Sequence, residues 1–262
     1  MQTPPPIRSL AWRTDLALLQ ASGSTVEDLG THLLVTTEDN PDFHWGNFVL
    51  LRQPPAPGTA RDAVGVFDAW FPEANHRSLG IDGYGSYDTS EFEAAGLERE
   101  VSEVMVAHRL TEPTHRGTDA GYRPLVESET DLWTDLELSA HRGTPGYSRA
   151  FVEARAEAEW RLVRAGLGHR WGAFVDGRLA ATAGLYQVGG GDLRYQSVLT
   201  HPRHRRRGHA GTLLHLMARR ALGQGHRRLV IVADPDGPAI GLYRSLGFQT
   251  LEQVTAVGQT FS

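Results

Sequence analysis

Apolar and polar residues follow two periods along this chain, and the changes between them mark out short elements. Leu10, Trp12, Leu16, Leu18 and Leu19 recur at helical spacing and predict a helix over 10–21, ended near Gly23. The β-rich runs 32–37 and 47–51 flank the turn-forming Asp39-Asn40-Pro41-Asp42. Ala63, Val64, Phe67 and Trp70 predict a helix over 60–71. Strands are expected at 78–82 and 100–110, with a helix around 91–95 between them.

The polar, aperiodic stretch 111–121 places a boundary, giving domains 1–118 and 119–262. The second domain reads as a strand at 122–126 and helices at 129–140 and 147–165. In the longer helix Phe151, Ala154, Ala158 and Leu162 share a face, Arg149/Glu153 and Glu157/Arg161 pair on its surface, and Gly166 caps it. Asp176-Gly177 predicts a hairpin joining 171–175 to 178–187. A strand at 193–200 precedes a helix whose buried face carries Leu213, Leu214, Leu216, Met217, Ala221 and Leu222. A buried strand at 228–233 follows, then a helix opened by Gly237-Pro238 and ended by Gly247, then a strand at 249–257.

Composition changes this picture little. The 262 residues are 40% hydrophobic and 22% charged, which suits globular domains with full cores. The net charge of −5 argues against general nucleic-acid binding. The chain has no cysteine, which excludes disulfides, thiolate ligands and a thiol nucleophile. No signal-peptide pattern and no apolar run long enough to span a bilayer is present, so the expected location is cytoplasmic, without membrane association.

The chemistry concentrates in 198–211, Val-Leu-Thr-His-Pro-Arg-His-Arg-Arg-Arg-Gly-His-Ala-Gly. Pro202 closes the strand, so the basic run lies in a turn that opens a helix. Helix N-termini present unpaired N–H groups and partial positive charge. Gly208, Ala210 and Gly211 let an anion approach that backbone, and Arg205, Arg206 and Arg207 add charge suited to phosphate. The arrangement reads as a pyrophosphate cradle at the end of a strand.

Two motifs carry a resemblance. Arg205-x-x-Gly208-x-Ala210 matches the Q/R-x-x-G-x-G/A signature of the GNAT superfamily of N-acetyltransferases, and the segment from Asp236 through Ala239, Leu242, Tyr243 and Gly247 to Phe248 resembles its N-x-x-A-x-x-L-Y-x-x-x-G-F segment. The resemblance covers roughly residues 119–262 and implies an α/β fold of the α+β GNAT type. Its central sheet would be mixed, mostly antiparallel and flanked by helices. The N-terminal half is a second α/β domain whose element order is compatible with a decayed copy of the same fold, although it lacks both motifs.

The same resemblance implies transfer of an acetyl group from acetyl-coenzyme A to a primary amine of a small molecule or peptide, by direct attack. Backbone groups of Val198, Leu199 and Thr200 would bind the pantetheine arm as an added strand, with an N–H near Val198 polarising the thioester. Residues Arg205, Arg206, Arg207, Gly208, His209, Ala210 and Gly211 would hold the pyrophosphate, with Asp236 and Ala239 also against the coenzyme. Asp236 stands where the family often has Asn, and its own reading is as a helix cap. Tyr243 occupies the position of the general acid. Ile231 and Val232 occupy the region where many members carry a basic Glu; Asp192, His201, or a water ordered by Tyr195 or Gln196 are the alternatives. His201-x-x-His204 lacks a third ligand, so no metal is expected. Phe43-His44-Trp45 reads as a packed strand start, which with His76 could wall an acceptor cleft. The competing reading is a non-catalytic module that binds acyl-coenzyme A; a monomer and a homodimer are both compatible with the sequence.

Overall fold

A computed structural model describes residues 6–85, 87–144 and 146–261. Two compact units emerge, one built from the chain up to Val104 and from Leu251 onward, the other from Met105 to Thr250. The loop read as a boundary carries neither helix nor strand between Ala107 and Gly121, whereas the division between units falls inside a strand, Glu98–Ala107.

In the first unit, α1 (Leu10–Ala21) starts at Ser9, whose Oγ accepts from the Trp12 N–H at 3.4 Å. Glu252 Oε1 accepts from Leu10 N at 2.7 Å and Ala11 N at 3.2 Å, a carboxylate set on the positive end of the helix. Strands β1 (Thr25–Asp28), β2 (His32–Thr36) and β3 (Phe48–Leu51) form an antiparallel meander. Helix α2 (Ala60–Trp70) leads to β4 (His76–Ile81), which runs parallel to β3. Then come α3 (Ser90–Ala94) and β5 (Glu98–Ala107). The final strand, β11 (Gln249–Thr260), pairs antiparallel with β4, so the order is β1-β2-β3-β4-β11-β5.

Two expectations for this unit need correction. Residues 43–45 do not begin a strand: His44–Gly46 is a 3-10 turn and β3 starts at Phe48, because the Trp45 ring turns onto Trp12 and Phe48, with centroids 5.9 and 5.7 Å away. His76 is buried, stacks on His44 at 4.1 Å and meets the Asn47 carbonyl through Nε2 at 3.0 Å, so it walls no cleft.

The second unit contains β6 (Gly121–Pro124), α4 (Thr130–Ala140), α5 (Arg149–Arg164), β7 (Gly168–Val175), β8 (Arg178–Gln187), β9 (Asp192–Thr200), α6 (His209–Leu222), β10 (Arg228–Ala233) and α7 (Ile240–Ser245). Its strands lie in the order β10-β9-β8-β7-β6, antiparallel except for β9 with β10. Mixed, largely antiparallel pairing flanked by helices is the fold the sequence implied. Asp176 and Gly177 both take positive φ, 49° and 75°, as the tight hairpin requires. Ser148 caps α5 by accepting from Phe151 N at 3.1 Å, and Gly166 ends it at φ 72°. The buried face of α5 is Val152, Ala156, Glu159, Trp160 and Leu162, rotated from the one expected because Phe151 faces a cavity. On one side of the sheet α6 buries Leu213, Leu214, Met217, Ala218 and Ala221 against Leu193, Tyr195, Leu229 and Ile231.

Both units repeat one order: a helix, three antiparallel strands, a helix, a strand parallel to the third, and a short helix. They differ at the second of those helices. The start of α2 is closed by the unit's own Glu91, which accepts from Gly58 N at 2.6 Å and Ala60 N at 3.4 Å. Helix α6 has no side-chain cap.

Candidate functional site

Strand β9 is interrupted on both sides near its end. Its parallel ladder with β10 stops at the pair Val230–Arg194, so the backbone of 195–200 leaves that neighbour. Against β8, Thr182 opposes Leu199 but Gly184 opposes Gln196, so Ser197 and Val198 together face one residue. This is a β-bulge, with Ser197 at φ 46° in the left-handed region. A half-exposed strand end with no β10 partner beyond Arg194 is an edge on which an extended ligand can add as a strand.

A non-glycine residue in that conformation must be held there. The Ser197 hydroxyl donates to Glu159 Oε1 at 2.9 Å, and the Ser197 carbonyl lies 3.5 Å from Arg170 Nη1. Glu159 and Arg170 are a buried ion pair at 2.5 Å. Arg170 also donates to Thr182 Oγ1 at 3.0 Å and lies 3.8 Å over the Trp133 ring, while Tyr186 donates to Glu159 at 2.7 Å. Burial alone would raise the Glu159 carboxyl, but Arg170 and then Arg155 outweigh it and hold it below the usual range. The sequence reading missed this network. Its signal was a Glu at a core position of α5 and an Arg inside a β-run, charges that a core tolerates only in pairs.

Beyond β9 the chain makes a 3-10 turn, Pro202–His204, and enters α6 through two left-handed residues, Arg206 at φ 62° and Gly208 at φ 81°. Among the described residues the N–H groups of 205–211 meet no backbone acceptor outside α6. Such successive N–H groups form a concavity for an anion. Arg206 and Arg207 are exposed and have no carboxylate partner among the described residues; Arg205 Nε reaches the Thr200 carbonyl at 3.4 Å. A Cβ at Gly208 would lie 2.3 Å from the His115 carbonyl oxygen, so only glycine fits. His209 differs from its neighbours: its ring is buried beside Tyr122, with Nδ1 3.3 Å from the hydroxyl, which leaves only its backbone facing the turn.

Asp236 is not a helix cap. Helix α7 begins at Ile240 with Ala239 at the cap position, and Asp236 sits in the preceding turn, its N–H donating to Asp234 Oδ1 at 2.9 Å. Gly237-Pro238 shares that turn rather than opening the helix, because the Asp234 side chain and carbonyl have already bent the chain there. Tyr243 is buried edge-on to Phe248, and burial pushes its phenol up to about 12. Its hydroxyl is engaged by no protein partner among the described residues. The proposed bases fare differently. Asp192 is bound by Arg228 at 2.5 and 2.9 Å, and the Tyr195 hydroxyl donates to the Leu214 carbonyl at 2.7 Å. His201 Nδ1 accepts from Arg203 N at 3.2 Å. Among the described residues no group of three metal-ligating side chains is present.

A cavity of about 340 Å³ opens beside the bulge, lined by Trp133, Glu137, His141, Tyr147, Phe151 and Arg155 together with Gln196–Leu199. Val198 and Leu199, two of the residues singled out in the sequence, thus line a cavity formed with α4 and α5. The imidazole of His141 stacks on Tyr147 at 4.1 Å, and its Nε2 is 3.5 Å from Glu137. Neither side chain carried a sequence motif.

Residues 130–248 match the model of the acetyltransferase (GNAT) family. A comparison with proteins of curated function returns no match. Among solved structures, the chain is similar to a conserved protein of unknown function from Staphylococcus epidermidis, with a TM-score of 0.76 at 12% identity over 92% of this chain and 95% of that one. It is also similar to a GCN5-related N-acetyltransferase from Kribbella flavida (TM-score 0.61, 14% identity, 96% of each chain). A tandem GNAT protein from the clavulanic acid biosynthesis pathway aligns at a TM-score of 0.52 and 15% identity over 99% of this chain and 90% of that one. At these identities the likeness is one of fold.

Proposed function

Because residues 130–248 are a domain of the GNAT acetyltransferase family, we propose that the protein is an acetyl-coenzyme A-dependent N-acetyltransferase acting on a primary amine by direct attack. One observation carries the reading: the strand that ends unpaired at its bulge runs directly into an uncapped helix start flanked by Arg205–Arg207. The spacing suits a ligand with an extended arm and a pyrophosphate. Acetyl-coenzyme A brings an activated thioester. The protein's part is to place it, to donate a hydrogen bond from the backbone at Val198 to the carbonyl oxygen, and to protonate the departing sulfur from Tyr243. Backbone of Leu199 and Thr200 extends the strand pairing, the N–H groups from Arg206 to Gly211 take the pyrophosphate, and Asp236 and Ala239 flank it from the α7 side.

A phenol held at about 12 stays protonated through neutral and mildly alkaline pH, as a proton donor must. Tyr243→Phe is expected to lower kcat by about 100-fold while leaving the Kd for acetyl-coenzyme A within about twofold. Release of free thiol and calorimetric titration measure the two quantities. Donor binding without thiol release in the presence of any amine would support instead a module that only binds the donor.

The first unit we read as a second copy of the fold that has lost its ligand. Its repeated element order supports this, and Glu91 sits on the helix start where an anion would bind. Calorimetry is expected to give one acetyl-coenzyme A per chain; two equivalent sites would overturn the reading of the first unit.

A further inference from the structure

The cavity beside the bulge is lined by an imidazole that has one ring nitrogen free. His141 is the residue at which α4 ends, its N–H donating to the Glu137 carbonyl at 3.0 Å. The Glu137 side chain, one turn earlier, turns toward the same ring. Its Oε1 accepts from the Trp133 indole at 3.2 Å, which fixes the carboxylate, and its Oε2 is 3.5 Å from His141 Nε2. Tyr147 stacks on the imidazole at 4.1 Å; burial pushes its phenol up, so it stays neutral. Among the described residues Nδ1 of His141 meets no protein partner.

We propose that His141 is the base that takes the proton from the acceptor amine, with Glu137 as its positioning residue. The inference rests on the acyl-transfer reading of β9. Three features suit this ring to the charge it would gain. A helix C-terminus is the negative end of the aligned peptide dipoles. Glu137 faces Nε2, so that nitrogen carries the proton of the neutral ring and Nδ1 keeps the lone pair. The face of a tyrosine attracts a cation. The cavity supplies reach. His141 lines it together with Val198, the residue assigned to the thioester carbonyl, and about 340 Å³ has room for one small acceptor between them. The acids and bases singled out in the sequence are engaged elsewhere, Asp192 by Arg228 and His201 Nδ1 by the Arg203 N–H.

Transfer then balances. The ammonium yields one proton to Nδ1 of His141, and the neutral nitrogen bonds to the thioester carbonyl carbon. The carbon–sulfur bond breaks with its electron pair on sulfur, and the thiolate takes the proton of the Tyr243 hydroxyl. The second proton of the nitrogen returns to the phenolate through solvent, and His141 releases the first. Each turnover gives one amide, one free coenzyme A and one proton.

The test compares phenethylamine with its β,β-difluoro analogue, which has nearly the same shape but is far less basic and presents a largely neutral nitrogen at neutral pH. In the full chain with acetyl-coenzyme A, His141→Gln is expected to lower kcat/KM about 100-fold for phenethylamine and no more than about tenfold for the difluoro amine. His141→Ala should regain at least about tenfold when imidazole is added, which a packing role would not allow. Glu137→Gln should lower kcat about tenfold with KM held, and Glu137→Asp should recover part of the loss. An equal loss for both amines with no response to imidazole, or unchanged turnover in His141→Gln, overturns the proposal. So does a wild-type protein that binds acetyl-coenzyme A but releases thiol with neither amine, an outcome that leaves the donor site standing. Absence of donor binding by calorimetry sinks the acetyltransferase itself.

Discussion

Gly208→Ala is expected to weaken acetyl-coenzyme A binding by at least about 100-fold and to lower the melting temperature as well. Two costs fall on one atom. The residue sits at φ 81°, where a side chain costs about 1–3 kcal/mol. The new Cβ would also lie 2.3 Å from the His115 carbonyl oxygen and 2.9 Å from atoms of Arg116 and Gly117, all of them backbone. Either the 115–117 segment moves or the turn that aims the α6 N–H groups does, and a shift of about 1 Å is enough to cost two orders of magnitude at a preorganised site. Gly189→Ala supplies the control. It shares the strain, at φ 88°, but its Cβ meets nothing within 4 Å, so stability should drop while donor affinity holds. Calorimetry and thermal melts on the two variants decide it; normal affinity in Gly208→Ala would remove the cradle from the site.

The second large effect belongs to the Glu159–Arg170 pair. Removing one partner from a buried ion pair strands the other, and Glu159→Ala is expected to cost about 3–5 kcal/mol by denaturant unfolding. Arg170→Met should cost a similar amount for the same reason. Combining Arg170→Met with Glu159→Leu puts apolar groups in both places and should restore much of the stability. Activity should not return with it. Ser197 would have lost the carboxylate that holds its hydroxyl at 2.9 Å and the guanidinium near its carbonyl, so the bulge would relax and kcat stay down about 100-fold. A double variant that recovers both stability and turnover would reduce the pair to a structural role.

Legibility in the sequence followed the range over which each signal acts. The α6 face, the Asp176-Gly177 turn and the basic turn at 205–208 are local patterns, and local sterics and hydrophobic spacing suffice to place them. β1 escaped notice because Thr25-Val-Glu-Asp is a mostly exposed edge with no apolar alternation. The bulge at Ser197 was invisible for another reason: nothing in Gln-Ser-Val demands a left-handed serine until Glu159 and Arg170 arrive from α5 and β7. The cavity is similar. Glu137, His141, Tyr147, Phe151 and Arg155 come from two helices and the loop between them, and only their packing against Gln196–Leu199 shows that they share a surface.

The placement of β11 has a consequence for the order of assembly. In the first unit β4 and β5 do not touch as neighbours, since β11 lies between them. On the ribosome, the segment from β1 to β5 therefore has a slot that it cannot fill itself, and it waits, edges open, until translation has passed through the whole of the other unit. A domain that emerges before another ordinarily finishes before it; here the earlier unit is completed by a strand made after the later one.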